Sequence, residues 1–280
     1  MNRRMTLDGH QGDYLLGSSD AEHQRLIRQA TRLAPVTESF FHEAGIGPGQ
    51  RVPDLGSGVG DVAMLVARLV GPEGAVVAIE RDARSISYAR RRAAEAGLHN
   101  VKFVESDIAH FSTDTRFDAA VGRYILQFLP DPVTTLRSLS EKVRPGGIIA
   151  FQEGSFAPFV ALSAHLPLWS AVVSLHYEVA VRVGVNTEMG PSLHKVFQDA
   201  GLQAPSMRLV MELGHAPDFT RWLSDVTISI RPQIERLNLP LDNIGDLDTL
   251  RPRLHEEVAS SKTVVPWLAL VGAWCTTRAN

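Results

Sequence analysis

Residues 51–61 read Arg-Val-Pro-Asp-Leu-Gly-Ser-Gly-Val-Gly-Asp, a short apolar run followed by Gly56, Gly58 and Gly60 at alternate positions. A residue without Cβ lets the backbone pass close beneath a ligand. Val62, Leu65, Val66 and Leu69 follow at helical spacing, so the stretch reads as strand, tight turn, helix. Such a helix points free N–H groups and the positive end of its dipole at whatever lies above the turn, which suits a carboxylate or a phosphate. Farther on, the run Ala75–Ile79 ends in Glu80, an acid placed to accept from both hydroxyls of a ribose. The dinucleotide fingerprint is G-x-G-x-x-G, whereas here the third glycine comes one residue early. A nicotinamide oxidoreductase is one competing reading, against which the early third glycine counts, and a plain tight connection without ligand is another.

Three later stretches decide between them. Val101–Ile108 carries Asp107 near its end, Phe117–Tyr124 carries Arg123, and Val143–Ala150 contains Pro145-Gly146-Gly147. Over roughly residues 50 to 153 this succession resembles the class I S-adenosylmethionine-dependent methyltransferases, of the small-molecule, menaquinone-biosynthesis type. The resemblance implies S-adenosyl-L-methionine as cofactor. It implies that Gly56, Ser57 and Gly58 approach it through the backbone, and that Glu80, with Arg81 beside it, takes the ribose. It implies that Asp107 accepts from the adenine amine next to the Ile108 backbone, and that Arg123 neighbours the methionine carboxylate. Asp54 either accepts from the methionine ammonium or ties down the turn.

The reaction implied is in-line methyl transfer from a sulfonium, for which the protein supplies mainly proximity and alignment. A base is needed only if the acceptor must lose a proton early. Glu153, His165 and His176 are the residues available for that, although a lone histidine in an apolar helix is more often packed than catalytic. Tyr14, Glu153, Trp169, His176 and Tyr177 are the candidate acceptor contacts, and the aromatic character of the 155–190 segment suggests a small, partly hydrophobic acceptor. No Asn-Pro-Pro-Tyr run follows Val121, which disfavours DNA-adenine and protein-glutamine targets. A relative that keeps the cofactor but catalyses a rearrangement or cyclisation is the alternative.

The elements that must position these residues alternate between strand and helix, which implies a Rossmann-like, doubly wound, mostly parallel α/β sheet. Seven strands are expected, the last antiparallel, with N-terminal helices and a helical lid after strand five. The division expected is 1–48 arm and helical cap, 49–154 cofactor-binding core, 155–190 lid, and 191–280 the rest of the core with a helical insertion. Ser19-Asp20-Ala21-Glu22 is a capping-box pattern. A helix with Leu26, Ile27, Ala30 and Leu33 on one face should end at Pro35, and a second should carry Val36, Phe40, Phe41 and Ala44. Single helices are expected over 218–237 and 247–259, and one strand over 263–274. Pro53 is discordant, because proline has no N–H for a central strand.

Composition bounds the partners. The net charge of −3 and the lack of a long basic run disfavour nucleic acid. The single cysteine, Cys275, excludes an internal disulfide and a cysteine-held metal and fits a reducing cytoplasm. The first five residues lack the apolar core of a secretory signal. Charged residues and Pro167 interrupt the apolar 158–185 segment too often for a membrane span. An apolar lid is compatible with a homodimer.

Overall fold

The structure is a computed structural model that describes residues 19–215 and 217–278; the expected N-terminal arm and Tyr14 lie outside the described residues. In chain order the elements are α1 Asp20–Ala44, β1 Arg51–Leu55, α2 Asp61–Val70, β2 Ala75–Glu80, α3 Ala83–Glu95, β3 Val101–Glu105 and β4 Phe117–Arg123. Then come α4 Pro132–Lys142, β5 Val143–Ser155, α5 Phe156–Ser163, α6 Pro167–Arg182, α7 Met189–Asp199, β6 Ser206–Val210 and β7 Leu213–Gly214. The chain closes with α8 Pro217–Ser229, α9 Arg231–Arg236, α10 Leu250–Ser261, β8 Val265–Pro266 and β9 Ala269–Thr276.

Seven strands form one sheet in the order β3-β2-β1-β4-β5-β9-β6. β9 runs antiparallel to both neighbours, and the pairs among β1 to β5 are parallel. The expected Rossmann-like architecture is thus the one observed. Strand order reverses between β1 and β4, and in such sheets the crevice at the carboxyl ends beside that reversal is where ligands bind.

Each face has its own core. On one, Val52, Val76, Ala78, Val121 and Ala150 pack with Phe40 and Phe41 of α1, with α2 and with α3. On the other, Leu55, Ile79, Phe117, Ile149 and Phe151 pack with α4 and α7. A third cluster joins Phe159, Trp169 and Val173 of α5 and α6 to Trp222 and Leu223 of α8, Leu254 of α10, Trp267 and Leu33 of α1. Helices α5 and α6 of the 155–190 segment thus do not pack alone: α8, α10 and Trp267 pack with them into one helical cap. Among the described residues no helix is long and apolar enough to cross a membrane.

Four local expectations are corrected. α1 is one helix that passes through Pro35. The proline withholds its N–H from the helical ladder, but Leu33 and Phe40 on either side of it are buried in the cap and the sheet core, and that packing keeps the helix continuous. The 218–237 helix is two helices broken at Ile230, before Pro232. The 247–259 helix begins with a 3-10 turn at Leu247–Thr249. The 263–274 strand is two pieces: β8 pairs with β7, and only β9 joins the main sheet.

Pro53 does sit in β1, opposite Val77 of β2. The Arg51 N–H, two residues earlier and so facing the same neighbour, is taken by the Asp118 carboxylate of β4 at 2.8 Å. Backbone pairing with β4 starts only at Asp54. The missing donor thus falls where the ladder has not begun. Burial works against the Asp118 charge, yet hydrogen bonds from Arg144 and the Arg51 amide hold its carboxyl below the usual range.

Candidate cofactor and acceptor site

The glycine turn lies at the carboxyl end of β1. Gly56, Gly58 and Gly60 all have positive φ, at 65°, 53° and 87°. A Cβ on Gly56 would stand 2.5 Å from Ile125 Cδ1, so the turn and the segment after β4 meet there. A Cβ on Gly60 would press on Ala89 and Phe103 at 3.1 Å, which gives the early third glycine a packing reason. Nothing lies within 4 Å of the same point on Gly58, which leaves that side of the turn open for a ligand.

Glu80 ends β2 and closes on the turn. Its Oε2 accepts the Gly58 N–H at 2.8 Å, and its Oε1 accepts the amides of Arg81 and Asp82 at 2.8 and 3.0 Å. The backbone thus fixes the carboxylate at a half-buried strand end, with lone pairs left for ribose hydroxyls. Arg81 contributes its amide, and its side chain is exposed.

Asp54 is 1% exposed, and its Oδ2 has no hydrogen-bond partner among the described residues. Burial pushes its carboxyl up to about 8, while Arg123 and the Ala63 amide pull it back. The buried Ser57 hydroxyl likewise lacks a partner. Arg123, the last residue of β4, donates from Nη1 to Thr37 Oγ1 at 2.9 Å and forms no ion pair among the described residues. Burial lowers its pKa, against the attraction of Asp61, Tyr124 and Asp54. Asp54 and Arg123 therefore feel each other's charge without pairing. A buried polar group without its full set of partners is costly, and here a carboxyl with one unpartnered oxygen and a guanidinium with no carboxylate on it stand on adjacent strands at the switch point. A zwitterionic amino-acid end satisfies both, so the residues present fit the methionine portion of S-adenosylmethionine.

Asp107 lies at the exposed end of β3, where its Oδ1 accepts the Ala109 amide at 2.8 Å and caps a 3-10 turn at Ile108–His110. Ile108 is half-buried against the α4-side core.

The acceptor candidates do not converge. Glu153 has no exposed surface, and the amides of Ile125, Leu126 and Gln127 all donate to its carboxylate, at 3.0, 2.8 and 3.4 Å. Burial raises its carboxyl to about 7 against those three bonds, and it holds the turn after β4 in place. Trp169 is wholly buried in the cap, its indole donating to Ser163 Oγ at 3.1 Å. His176 is buried with Nε2 2.8 Å from Thr227 Oγ1, and burial, then Arg25, lowers its pKa to about 3, so the imidazole is neutral. Tyr177 is 41% exposed, with its ring near Phe156. His165 is exposed, with Nε2 3.4 Å from Thr263 Oγ1.

Two residues escaped the sequence reading. Thr37 looks like any helical threonine, and only the fold brings it to Arg123. Tyr124 has φ 56°, a left-handed conformation that is uncommon for a residue with a side chain, and burial raises its phenol. It follows Arg123 directly and packs against the cap core, where strand meets cap. Its place beside Arg123 was the one signal available.

A methyltransferase-domain family model matches residues 46–201. The chain is 32% identical over 119 residues to a ubiquinone/menaquinone biosynthesis C-methyltransferase, UbiE, of Coxiella burnetii, which covers 41% of this chain and 48% of the relative. The chain thus spans about half the length of the curated relatives it matches. It is similar in fold to a S-adenosylmethionine-dependent methyltransferase from Aquifex aeolicus, with TM-score 0.50, 21% identity, and 69% of this chain and 92% of that one covered. It is also similar in fold to the YcgJ protein of Bacillus subtilis, with TM-score 0.57, 13% identity, and 89% and 100% covered.

Proposed function

The chain belongs to the class I S-adenosylmethionine-dependent methyltransferase family, and from that premise we propose that it transfers the cofactor's methyl group in line to a small, partly hydrophobic metabolite. The observation that carries the reading is the Asp54 carboxyl, whose buried Oδ2 lacks a partner, standing on the strand beside Arg123, whose guanidinium is held by Thr37 and by no carboxylate among the described residues, at the switch point. When bound, the cofactor supplies a methyl group already activated by a positive sulfur. The residues of the chain do the rest. Glu80 accepts from the ribose, Asp107 and the Ile108 backbone border the adenine, and Gly56, Ser57 and Gly58 bring the turn close. Asp54 accepts from the ammonium, and Arg123 donates to the carboxylate.

Tyr124 and Phe156, partly buried, pack against the cap core beside Arg123, and this apolar surface supports a partly hydrophobic acceptor. Glu153 and His176 already have partners, so the reading favours an acceptor that attacks without a protein base. The modest net charge and the single cysteine support a small-molecule acceptor and a reducing, cytoplasmic setting.

The test is calorimetry with S-adenosylmethionine, followed by mass spectrometry of methyl transfer to a panel of small acceptors. Glu80→Ala removes two ribose hydrogen bonds to a charged acceptor, so affinity should fall roughly 100-fold or more. No binding heat with the wild-type protein, or equal affinity in the variant, refutes the proposal. Cofactor that binds but is never consumed by any acceptor favours the rearrangement or cyclisation alternative.

A further inference from the structure

Thr37 sits in α1, its side chain fully buried, and its hydroxyl oxygen accepts the hydrogen bond that Arg123 Nη1 donates at 2.9 Å. That bond joins a helix outside the parallel strands to the last residue of β4. A guanidinium has five donors in a rigid fork, so anchoring one of them sets the direction of the rest. No carboxylate pairs with Arg123 among the described residues, which leaves Thr37 to set that direction.

We propose that Thr37 is a positioning residue: it holds the Arg123 guanidinium in the orientation that receives the cofactor's carboxylate, and so makes α1 a working part of the cofactor site. The inference rests on the S-adenosylmethionine reading above.

The same helix also reaches the nucleoside end, by separate contacts. His23 Nε2 lies 3.3 Å from Ser85 Oγ, which donates to Asp82 Oδ2 at 2.6 Å, and the Asp82 amide donates to Glu80 Oε1 at 3.0 Å. Gln24 donates to the Tyr88 hydroxyl at 2.7 Å on the same side. His23 and Thr37 are separated by about 21 Å of helix at 1.5 Å per residue. α1 thus holds the two ends of the site through different residues, and the ends can be tested apart.

The experiment compares the wild-type protein with Thr37→Val, Thr37→Ser and Arg123→Met by calorimetry with two probes. S-adenosylhomocysteine carries the carboxylate. 5′-Methylthioadenosine keeps adenine, ribose and sulfur and lacks it. Valine matches threonine in shape and removes the acceptor, so Thr37→Val should lose about tenfold in S-adenosylhomocysteine affinity, the scale of one hydrogen bond to a charged group. Affinity for 5′-methylthioadenosine should stay within about twofold, because nothing at the nucleoside end has changed. Thr37→Ser should restore the wild-type value, and Thr37→Val added to Arg123→Met should cost nothing more. Thr37→Ala replaces Thr37→Val if the latter does not fold.

Equal S-adenosylhomocysteine affinity in wild type and Thr37→Val overturns the inference while leaving the cofactor reading intact. Equal losses with both probes also overturn it, since they signify a loosened helix. Wild-type protein that binds neither probe overturns the cofactor reading and this inference with it.

Discussion

Adding S-adenosylmethionine at pH 7 should drive a proton out of the protein, with Asp54 as its source. The carboxyl is 1% exposed and burial pushes it up to about 8. At pH 7 such a group is protonated in about nine molecules of ten. An ammonium seated at the unpartnered Oδ2 favours the ionised form and brings the pKa well below 7. Binding should then release close to one proton, about 0.9 per site. Calorimetry in two buffers of different ionisation enthalpy at pH 7 measures this directly, and Asp54→Asn should abolish the release. The same group shapes the stability of the ligand-free protein. Its unfolded-state pKa lies near 3.8 and its folded one near 8, so between those values the native state holds the extra proton. Stability therefore falls as pH rises through that window, by an amount on the order of several kcal/mol when the window is fully crossed. Asp54→Asn should remove the slope. No net proton release from the wild-type protein, or equal release from the asparagine variant, refutes the reasoning.

Gly56→Ala should be more damaging than an ordinary glycine substitution. The new Cβ meets Ile125 at 2.5 Å in a left-handed conformation that alone costs about 1–2 kcal/mol, so differential scanning fluorimetry should show a lower Tm and calorimetry a loss of cofactor binding. An unchanged Tm refutes it. Pro35→Ala should stabilise the protein by about 1–3 kcal/mol in urea unfolding, because an interior helical proline lacks the N–H that the Thr31 carbonyl would accept. A loss of stability would show that the proline's geometry in α1 is needed.

The parts legible from the sequence were those whose physics is local. A glycine turn, an acid at the next strand's end and a β-branched run without polar alternation each carry their reason within a few neighbouring residues, and β1, β2 and Glu80 stand where they were expected. What escaped depended on distant partners. The apolar spacing put Leu26 and Ile27 on the buried side of α1, yet the structure leaves them half-buried and buries Glu22, His23 and Arg25 instead. Those polar residues are admitted because Ser229 donates to Glu22 at 2.6 Å, Arg25 pairs with Glu22 at 2.6 Å, and Ser85 lies 3.3 Å from His23. Ser85 and Ser229 lie far from α1 in sequence. Pro35 misled for a related reason, since its local preference to end a helix is outweighed by packing on both sides of it. Glu153, read as an acceptor or base candidate, is occupied by three amides of a turn about 27 residues earlier in the chain.

β6 touches the main sheet only along β9, although β9 comes much later in the chain. Throughout synthesis of the cap helices between them, β6 has no strand to zip against, and its backbone groups stand ready to pair with any passing edge. β9 slots between β5 and β6 and thereby ends that vulnerable interval. Mutations in β9 that weaken its pairing should therefore leave two unpaired edges, on β5 and β6, and raise aggregation during refolding, measured by light scattering.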